Sequence, residues 1–149
     1  MINAKKNVCP ITTGDLKSVA YLPGEIADLK KNLADLDRLP ISSISPAKRK
    51  DYAVAVDELK STYKEQLHQC TVQMERIQAF FDSIHDDLIY DLFRLRYQKN
   101  IGLVKIGILI NSKYGVCYDA ESLRMICNRY IERYNANVTK TKNGKTSTL

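Results

Sequence analysis

The feature that most constrains this chain is a long stretch, residues 47–100, that contains neither glycine nor proline. Along it, apolar side chains recur at steps of three and four residues, which is the spacing of one face of an α-helix. One repeated step of four is a stutter, which locally relaxes a left-handed supercoil. The pattern predicts a helix from about Pro46 to Phe81, roughly 50 Å long. The predicted seam of this helix is Tyr52, Val56, Leu59, Tyr63, Leu67, Cys70, Met74, Ile77, Phe81 and Ile84.

A second, shorter seam precedes the long one and predicts a partner helix. Pro23-Gly24 interrupts it, so we expect a kink or a new helix start there, with Pro23 in the first turn. The connector at residues 39–46 is short and rich in proline and serine, which favours an antiparallel hairpin. The C-terminal segment or a second copy of the chain would then cover the far end of the long helix. The seam residues are Val19, Leu22, Ile26, Leu29, Leu33 and Leu36, at steps of 3, 4, 3, 4 and 3.

Residues 83–134 show three short runs that favour three helices. The first has Ser83 or Asp86 as its cap. The second, residues 101–110, is almost wholly apolar and by composition could be a buried strand, but its spacing favours a helix in which Gly107 allows a close crossing. A loop is expected over residues 111–118, followed by a helix that ends at Tyr134. Asp119 would cap this last helix, with Leu123, Ile126, Cys127, Tyr130 and Ile131 as its inner stripe.

Together these patterns predict an all-α fold with four parts. They are an irregular arm over residues 1–13, a coiled-coil-like helical hairpin over 14–82, a helix-turn-helix unit over 83–134 and a basic tail over 135–149. The tail is polar and poor in apolar residues, so disorder is expected there. Three short helices, the last with basic residues on its open face, are the layout of a DNA-reading helix-turn-helix.

The net charge of +6 is unevenly distributed. Residues 1–82 hold 12 Lys/Arg and 11 Asp/Glu, whereas residues 92–149 hold 11 Lys/Arg against 3 Asp/Glu. A basic end on a nearly neutral body favours a polyanionic partner. The alternative is a solvated basic surface followed by a lysine-rich tail.

Other sequence features exclude several classes of function. No apolar run approaches the roughly 18 residues of a membrane span, and the N-terminus lacks the apolar core of a signal peptide. The four cysteines are widely spaced, as expected of reduced thiols in a cytoplasmic protein. His68 and His85 have no nucleophile or carboxylate at catalytic spacing, and no phosphate loop is present. We therefore expect neither an enzyme nor a metal or other cofactor.

The candidate DNA-binding residues lie mainly on the last predicted helix. An arginine fork matches guanine O6 and N7, and an asparagine amide matches adenine N6 and N7. Ser122, Arg124, Asn128 and Arg129 are predicted to reach base edges. Lys105, Lys113 and Arg133 are predicted to face phosphates, which set register and supply affinity. In the alternative reading, the arginines form ion pairs with Glu121, Glu132 or aspartates of the first short helix.

Three segments of this region carry a resemblance to a known family: 87–97 (DLIYDLFRLRY), 104–111 (VKIGILIN) and the arginine-bearing helix that follows. They resemble the region 4 helix-turn-helix of sigma factors, and most of all the phage-encoded late transcriptional regulators of the ArpU and RinA type. The resemblance covers residues 86–134 and extends loosely to the N-terminal hairpin. Two departures are Gly107, where the family usually has alanine, and a longer turn before the last helix.

The resemblance implies a phage or prophage DNA-binding transcriptional regulator. Its expected partners are double-stranded DNA, RNA polymerase and a second copy of the chain in a homodimer, with no membrane. A second hypothesis is a helical protein-interaction module, such as a phage packaging, scaffold or inhibitor protein, that acts through the long hairpin without binding DNA. Salt dependence separates the two, because binding to several phosphates weakens steeply as salt rises.

Overall fold

The structure, a computed structural model, describes the backbone of residues 9–147 and the side chains of residues 9–140. Within this range the chain forms helices and no strand, so the all-α prediction is confirmed. Two 3-10 turns, Ser18–Ala20 and Ile41–Ser43, and one π-helical turn, Arg94–Gln98, lie between the helices. The helices are α1 (Thr13–Lys17), α2 (Leu22–Asp37), α3 (Pro46–Asp82), α4 (Asp87–Phe93), α5 (Leu103–Tyr114) and α6 (Ala120–Ser147).

The chain divides into two compact units, each with its own internal packing. The hairpin unit is Tyr21–Gln73, and the C-terminal unit combines the described residues before Tyr21 with those from Met74 onward. This division differs from the predicted boundary after residue 82, since the last turns of α3 belong to the C-terminal unit. The reason is aromatic packing near the end of α3, which a heptad pattern does not reveal.

In the hairpin unit, two separated pairs define the relative direction of α2 and α3. Asp37, at the end of α2, forms a 2.7 Å ion pair with Lys60. Burial raises the pKa of the Cys70 thiol, and the nearby Glu25 carboxylate adds to this effect. This order is compatible with the predicted antiparallel hairpin. Pro23 lies in the first turn of α2, which confirms a fresh helix start there.

The predicted seam of α3 is only partly buried in the hairpin unit. Val56 is 5% exposed, but Tyr52 is 40% and Leu59 is 46% exposed, so the seam prediction is wrong at these two positions. The heptad pattern therefore identifies Val56 as a core position but fails at the seam positions on either side of it.

The core of the C-terminal unit is built around Phe80, which is fully buried. Its ring centroid lies 5.1 Å from that of Phe93 on α4, and 5.8 and 4.9 Å from those of Tyr130 and Tyr134 on α6. All three rings meet Phe80 edge to face, an arrangement worth about 0.5–1.5 kcal/mol per pair beyond area burial. The chain's own C-terminal helices therefore supply the cover that the end of α3 requires.

The segment before α1 packs against the end of α6. The Asn135 side chain accepts a hydrogen bond from the Ile11 amide (2.7 Å) and donates one to the Ile11 carbonyl (2.8 Å). Val138, one turn further along α6, is also buried. The expectation of a disordered tail from residue 135 is therefore wrong: α6 continues to Ser147, because these long-range contacts hold it.

The start of α1 confirms the predicted helix boundary to within one residue. Thr12 caps the helix in a reciprocal arrangement with Asp15: each side chain accepts the other's backbone amide, at 3.0 Å. The predicted irregular arm ended at residue 13, and the helix begins at Thr13. Of the predicted irregular arm, residues 9–12 are non-helical and residues 1–8 lie outside the described residues.

We expect Phe80→Ala to lower the free energy of unfolding by about 3–5 kcal/mol, because it removes a buried ring that contacts α4 and α6. Leu59→Ala, at a side chain that is 46% exposed, is the matched control and should cost less than about 1 kcal/mol. Urea unfolding followed by circular dichroism measures both values. Equal losses would show that Phe80 is not the centre of this core.

Candidate nucleic-acid interface

Gly107 lies at the crossing of α5 and α6. This glycine is buried. A Cβ atom added to it would lie 3.4 Å from the Tyr118 carbonyl oxygen and 3.7 Å from Cδ1 of Leu123 on α6. These are ordinary van der Waals distances for one carbon and leave no room for a longer side chain. The predicted close crossing at Gly107 is confirmed.

The turn between α5 and α6 is held by Asn111. Its side-chain amide donates to the Tyr118 carbonyl (2.9 Å), and its oxygen accepts the Tyr118 amide (2.8 Å). Helix α5 continues to Tyr114 and ends at Gly115, whose φ of 65° is the left-handed conformation that glycine adopts readily. The predicted loop over residues 111–118 is therefore wrong in extent: the segment between the helices is residues 115–119.

The structure predicts opposite outcomes for two substitutions of Gly107. Gly107→Ala adds one carbon that the crossing accepts and raises helix propensity, so it should stabilise the protein by up to about 1 kcal/mol. Gly107→Leu overpacks the crossing and should cost about 1–3 kcal/mol. Thermal and urea unfolding measure both. Destabilisation by alanine would mean that α5 and α6 lie closer together than described.

Asp91 on α4 joins that helix to the end of α5. Its carboxylate accepts hydrogen bonds from Lys113 Nζ, at 2.7 Å, and from the Tyr114 hydroxyl, and lies 3.6 Å from Arg94. Burial raises the pKa of Asp91, but the hydrogen bonds from Lys113 and Tyr114 outweigh burial and leave the pKa below its usual value. Lys113, predicted to face phosphate, thus has an intramolecular partner, although its side chain remains 64% exposed.

The lowered pKa of Asp91 makes part of the stability depend on pH. A carboxylate with a folded pKa below its unfolded value of about 3.9 stabilises the fold above that value, and this contribution is lost as the pH falls through the folded pKa. Asp91→Asn should therefore lower the free energy of unfolding at pH 7 by about 1 kcal/mol, a modest value because Lys113 is solvent-exposed. The two proteins should converge once the pH has fallen below the folded pKa of Asp91. Urea unfolding at pH 7, 5 and 3 tests this, with the exposed Asp28→Asn as control, and a pH-independent difference would contradict it.

The start of α6 carries the predicted acidic cap. Asp119 accepts the Ser122 amide at 2.7 Å, and this hydrogen bond lowers the Asp119 pKa. In the next turn, Glu121 pairs with Arg124, which lowers the pKa of the glutamate. The alternative reading of Arg124 as an ion-pair partner of Glu121 is therefore confirmed. Both side chains remain exposed, so solvent screening leaves this pair little effect on stability.

The remaining predicted residues fall on two flanks of α6. At about 100° per residue, Ser122, Arg129 and Arg133 lie within about 40° of one another, whereas Arg124 is about 140° from Arg129. Asn128 shares the flank of Arg124. Arg129 and Arg133 are exposed, while Ser122 and Asn128 are half-buried. Within the described part of the chain, neither Arg129 nor Arg133 forms an ion pair.

Lys140 extends the flank of Arg129 and Arg133 and was missing from the predicted site. It is exposed and lies seven residues after Arg133, so it lies on the same face of α6. We name Ser122, Arg129, Arg133 and Lys140 the basic stripe. In the sequence these four residues follow one another at steps of 7, 4 and 7, which places them on one helix face. Because the predicted helix ended at Tyr134, Lys140 was left out of the predicted site. Lys105, the other predicted phosphate contact, is exposed on α5.

The outer surface of α5 is apolar as well as basic. Val104 is 70%, Ile108 is 67% and Leu109 is 48% exposed, next to Lys105.

No described helix is long and apolar enough to cross a membrane. Between residues 9 and 140, no three His, Cys, Asp or Glu side chains converge in a way that could hold a metal ion.

Comparison of the chain with protein-family models, curated proteins and solved structures gave no significant match. Inference about function therefore depends on the residues and their geometry.

Proposed function

We propose that the protein is a DNA-binding transcriptional regulator in which α6 is the recognition helix. The observation that carries this proposal is the basic stripe. It places Arg129, Arg133 and Lys140 on one exposed face of a helix that begins directly after a turn. Such a face supplies the positive charge that a phosphate backbone attracts, without a carboxylate partner that must first be displaced.

The dimensions of the stripe suit a duplex. From Arg129 to Lys140, α6 rises by roughly 16 Å, which exceeds the roughly 12 Å width of the major groove. When the first turns of α6 enter the groove, Ser122 and Arg129 would approach base edges from one flank of the helix, and Arg124 and Asn128 from the other. Arg133 and Lys140, further along the helix, would then reach phosphates. Lys105 on α5 would add a phosphate contact from the preceding helix.

Arg124 is a weaker candidate for contact with a base than the sequence alone indicated. To reach a base it would have to leave Glu121, with which it forms an exposed pair. Because both side chains are exposed and screened by solvent, Arg124 can exchange Glu121 for a base edge at little cost. Lys113 would similarly have to leave Asp91 to reach a phosphate.

Removing the stripe should weaken duplex binding in a way that depends on salt. A duplex is first selected from a random pool with the full chain, and affinity is then measured by fluorescence anisotropy from about 50 to 200 mM salt. Arg133→Ala and Lys140→Ala should each reduce the slope of log K against log salt by about 0.9. Arg129→Ala should cost about 1–3 kcal/mol on the selected duplex and relax its sequence preference.

Lys30→Ala and Lys31→Ala on α2 are the matched controls, since each removes one exposed positive charge from the hairpin unit. Neither should change the slope. Melting temperatures of all variants should stay within about 3 °C of the wild type, because exposed substitutions rarely cost more than about 0.5 kcal/mol. If the α2 variants weaken duplex binding as much as the α6 variants do, α6 is not the recognition helix.

The regulatory part of the proposal includes two protein partners, RNA polymerase and a second copy of the chain. The exposed aliphatic side chains of α5 offer an apolar surface for such contacts. Affinity capture from phage-infected cells, with and without nuclease, separates DNA-bridged from direct polymerase binding. Sedimentation equilibrium of the full chain measures dimer formation.

A second candidate function is a protein-interaction module that acts through the hairpin unit. The observation that favours it is the exposure of Tyr52 and Leu59, at 40% and 46%, on one face of the early part of α3. A partner helix could cover these side chains, as in helix-in-groove recognition. Capture of a protein partner that persists after nuclease treatment and is lost on Leu59→Asp, together with no measurable duplex binding, would favour this function over DNA binding.

A further inference from the structure

Helix α5 has one side that no other helix of the C-terminal unit covers, and we name it the α5 outer face. At about 100° per residue, the exposed residues of α5 span an arc of about 180°. Asn111, which bonds the Tyr118 backbone, marks the flank towards the turn into α6. Lys113, paired with Asp91, lies at the edge of the arc towards α4. The residues of the α5 outer face are Val104, Lys105, Ile108, Leu109, Ser112 and Lys113.

Three aliphatic side chains lie on this face within six residues. Val104 is 70%, Ile108 is 67% and Leu109 is 48% exposed. Val104 and Ile108 are four residues apart, so they are neighbours on the helix surface. Exposed apolar side chains that occur singly are ordinary, whereas a group of them on one surface marks a site of interaction.

The charge on the α5 outer face is exclusively positive. Helix α5 contains Lys105 and Lys113 and no aspartate or glutamate. Lys113 is paired with Asp91, whereas Lys105 forms no ion pair within the described part of the chain. Lys105 lies among the aliphatic side chains, about 60° around the helix from Ile108 and about 40° from Leu109. A partner that buries the aliphatic side chains must therefore also supply an acceptor for the Lys105 ammonium.

This arrangement of charge argues against a second copy of the chain and against a membrane as the occupant. Pairing α5 with α5 of a second copy would bury lysines with no carboxylate on either helix to receive them. A helix that lies on a membrane surface has its apolar residues on one side and its lysines on the other. On α5 the position of Lys105 between Ile108 and Leu109 does not allow that separation.

We propose that the α5 outer face binds an acidic amphipathic helix of a partner protein. Apolar side chains of that helix would cover Val104, Ile108 and Leu109, and a carboxylate among them would pair with Lys105. The twelve residues of α5, roughly 18 Å, offer about three turns for such pairing. The proposal deepens the regulatory part of the proposed function, on which it rests for the role of the partner, but the contact itself does not use the basic stripe.

The probes are two fluorescein-labelled, stapled helical peptides of equal length with the same leucine face. One carries glutamates beside the leucines, and the other carries lysines at the same positions. Titrations with the full chain are made without DNA, because Lys105 is also a proposed phosphate contact. Fluorescence anisotropy should show saturable binding of the glutamate peptide and at least about tenfold weaker binding of the lysine peptide, because like charges then meet at Lys105. NMR of the ¹⁵N-labelled chain should show the shifted amides within residues 104–113.

Ile108→Gln tests the apolar part of the contact. It should weaken binding of the glutamate peptide about tenfold, because it removes an aliphatic side chain from the α5 outer face. The fold should be unaffected, since Ile108 is exposed and glutamine is a good helix former. Val54→Gln is the matched control: it removes an aliphatic side chain that is 50% exposed on α3 and should leave peptide binding unchanged.

Lys105→Glu tests the ion pair by reversing its sign. This variant should lose the glutamate peptide and bind the lysine peptide instead. Glutamate is favourable in the first turn of a helix, so the variant should fold. Lys31→Glu on α2 changes the net charge by the same amount and should not reverse the preference, which separates local pairing from the general attraction of a basic protein for acidic peptides.

Arg129→Ala should leave peptide binding unchanged, so failure of duplex reading is distinguishable from failure of this contact. The proposal is overturned if the glutamate peptide does not bind, if both peptides bind equally, or if Lys31→Glu reverses the preference as Lys105→Glu does. Self-association in sedimentation equilibrium that Ile108→Gln abolishes would assign the α5 outer face to a second copy instead. Binding to phosphatidylserine vesicles that the same variant abolishes would assign it to a membrane surface.

Discussion

Burial of the Phe80 ring is the interaction on which the C-terminal unit depends. This ring contacts Phe93 on α4 and both Tyr130 and Tyr134 on α6, so a single side chain of α3 fixes two other helices. The placement of α6 in turn sets the direction of its exposed face. Aromatic packing on one flank of α6 therefore leaves Arg129, Arg133 and Lys140 on another, exposed flank of the same helix.

The helical content was predictable because its signals are local. Spacing of apolar residues predicted α3 to within one residue at its C-terminal end, and Pro23 marked the start of α2. The caps Asp86 and Asp119 were predicted from the preference of aspartate for positions before a helix. Gly107 was identified as a crossing point since a missing side chain permits close approach of two helices.

The features that sequence reasoning missed depend on partners far away in the chain. Asn135 lies in a polar segment that looked disordered, and only its two hydrogen bonds to Ile11 explain why the helix continues past it. Lys113 looked like a free cation until Asp91, 22 residues earlier, proved to be its partner. Leu59 follows the heptad pattern but remains exposed, because the pattern alone does not specify whether another segment covers a seam position.

The pairing of Ile11 with Asn135 has a consequence for the order of folding during synthesis. The hairpin unit is one continuous segment and can form its contacts as soon as residue 73 has left the ribosome. The C-terminal unit is discontinuous, so its early residues must wait until most of α6 has been translated. The segment around Ile11 and the aromatic end of α3 then remain exposed for that interval, and a chaperone that binds apolar segments would find both of them accessible.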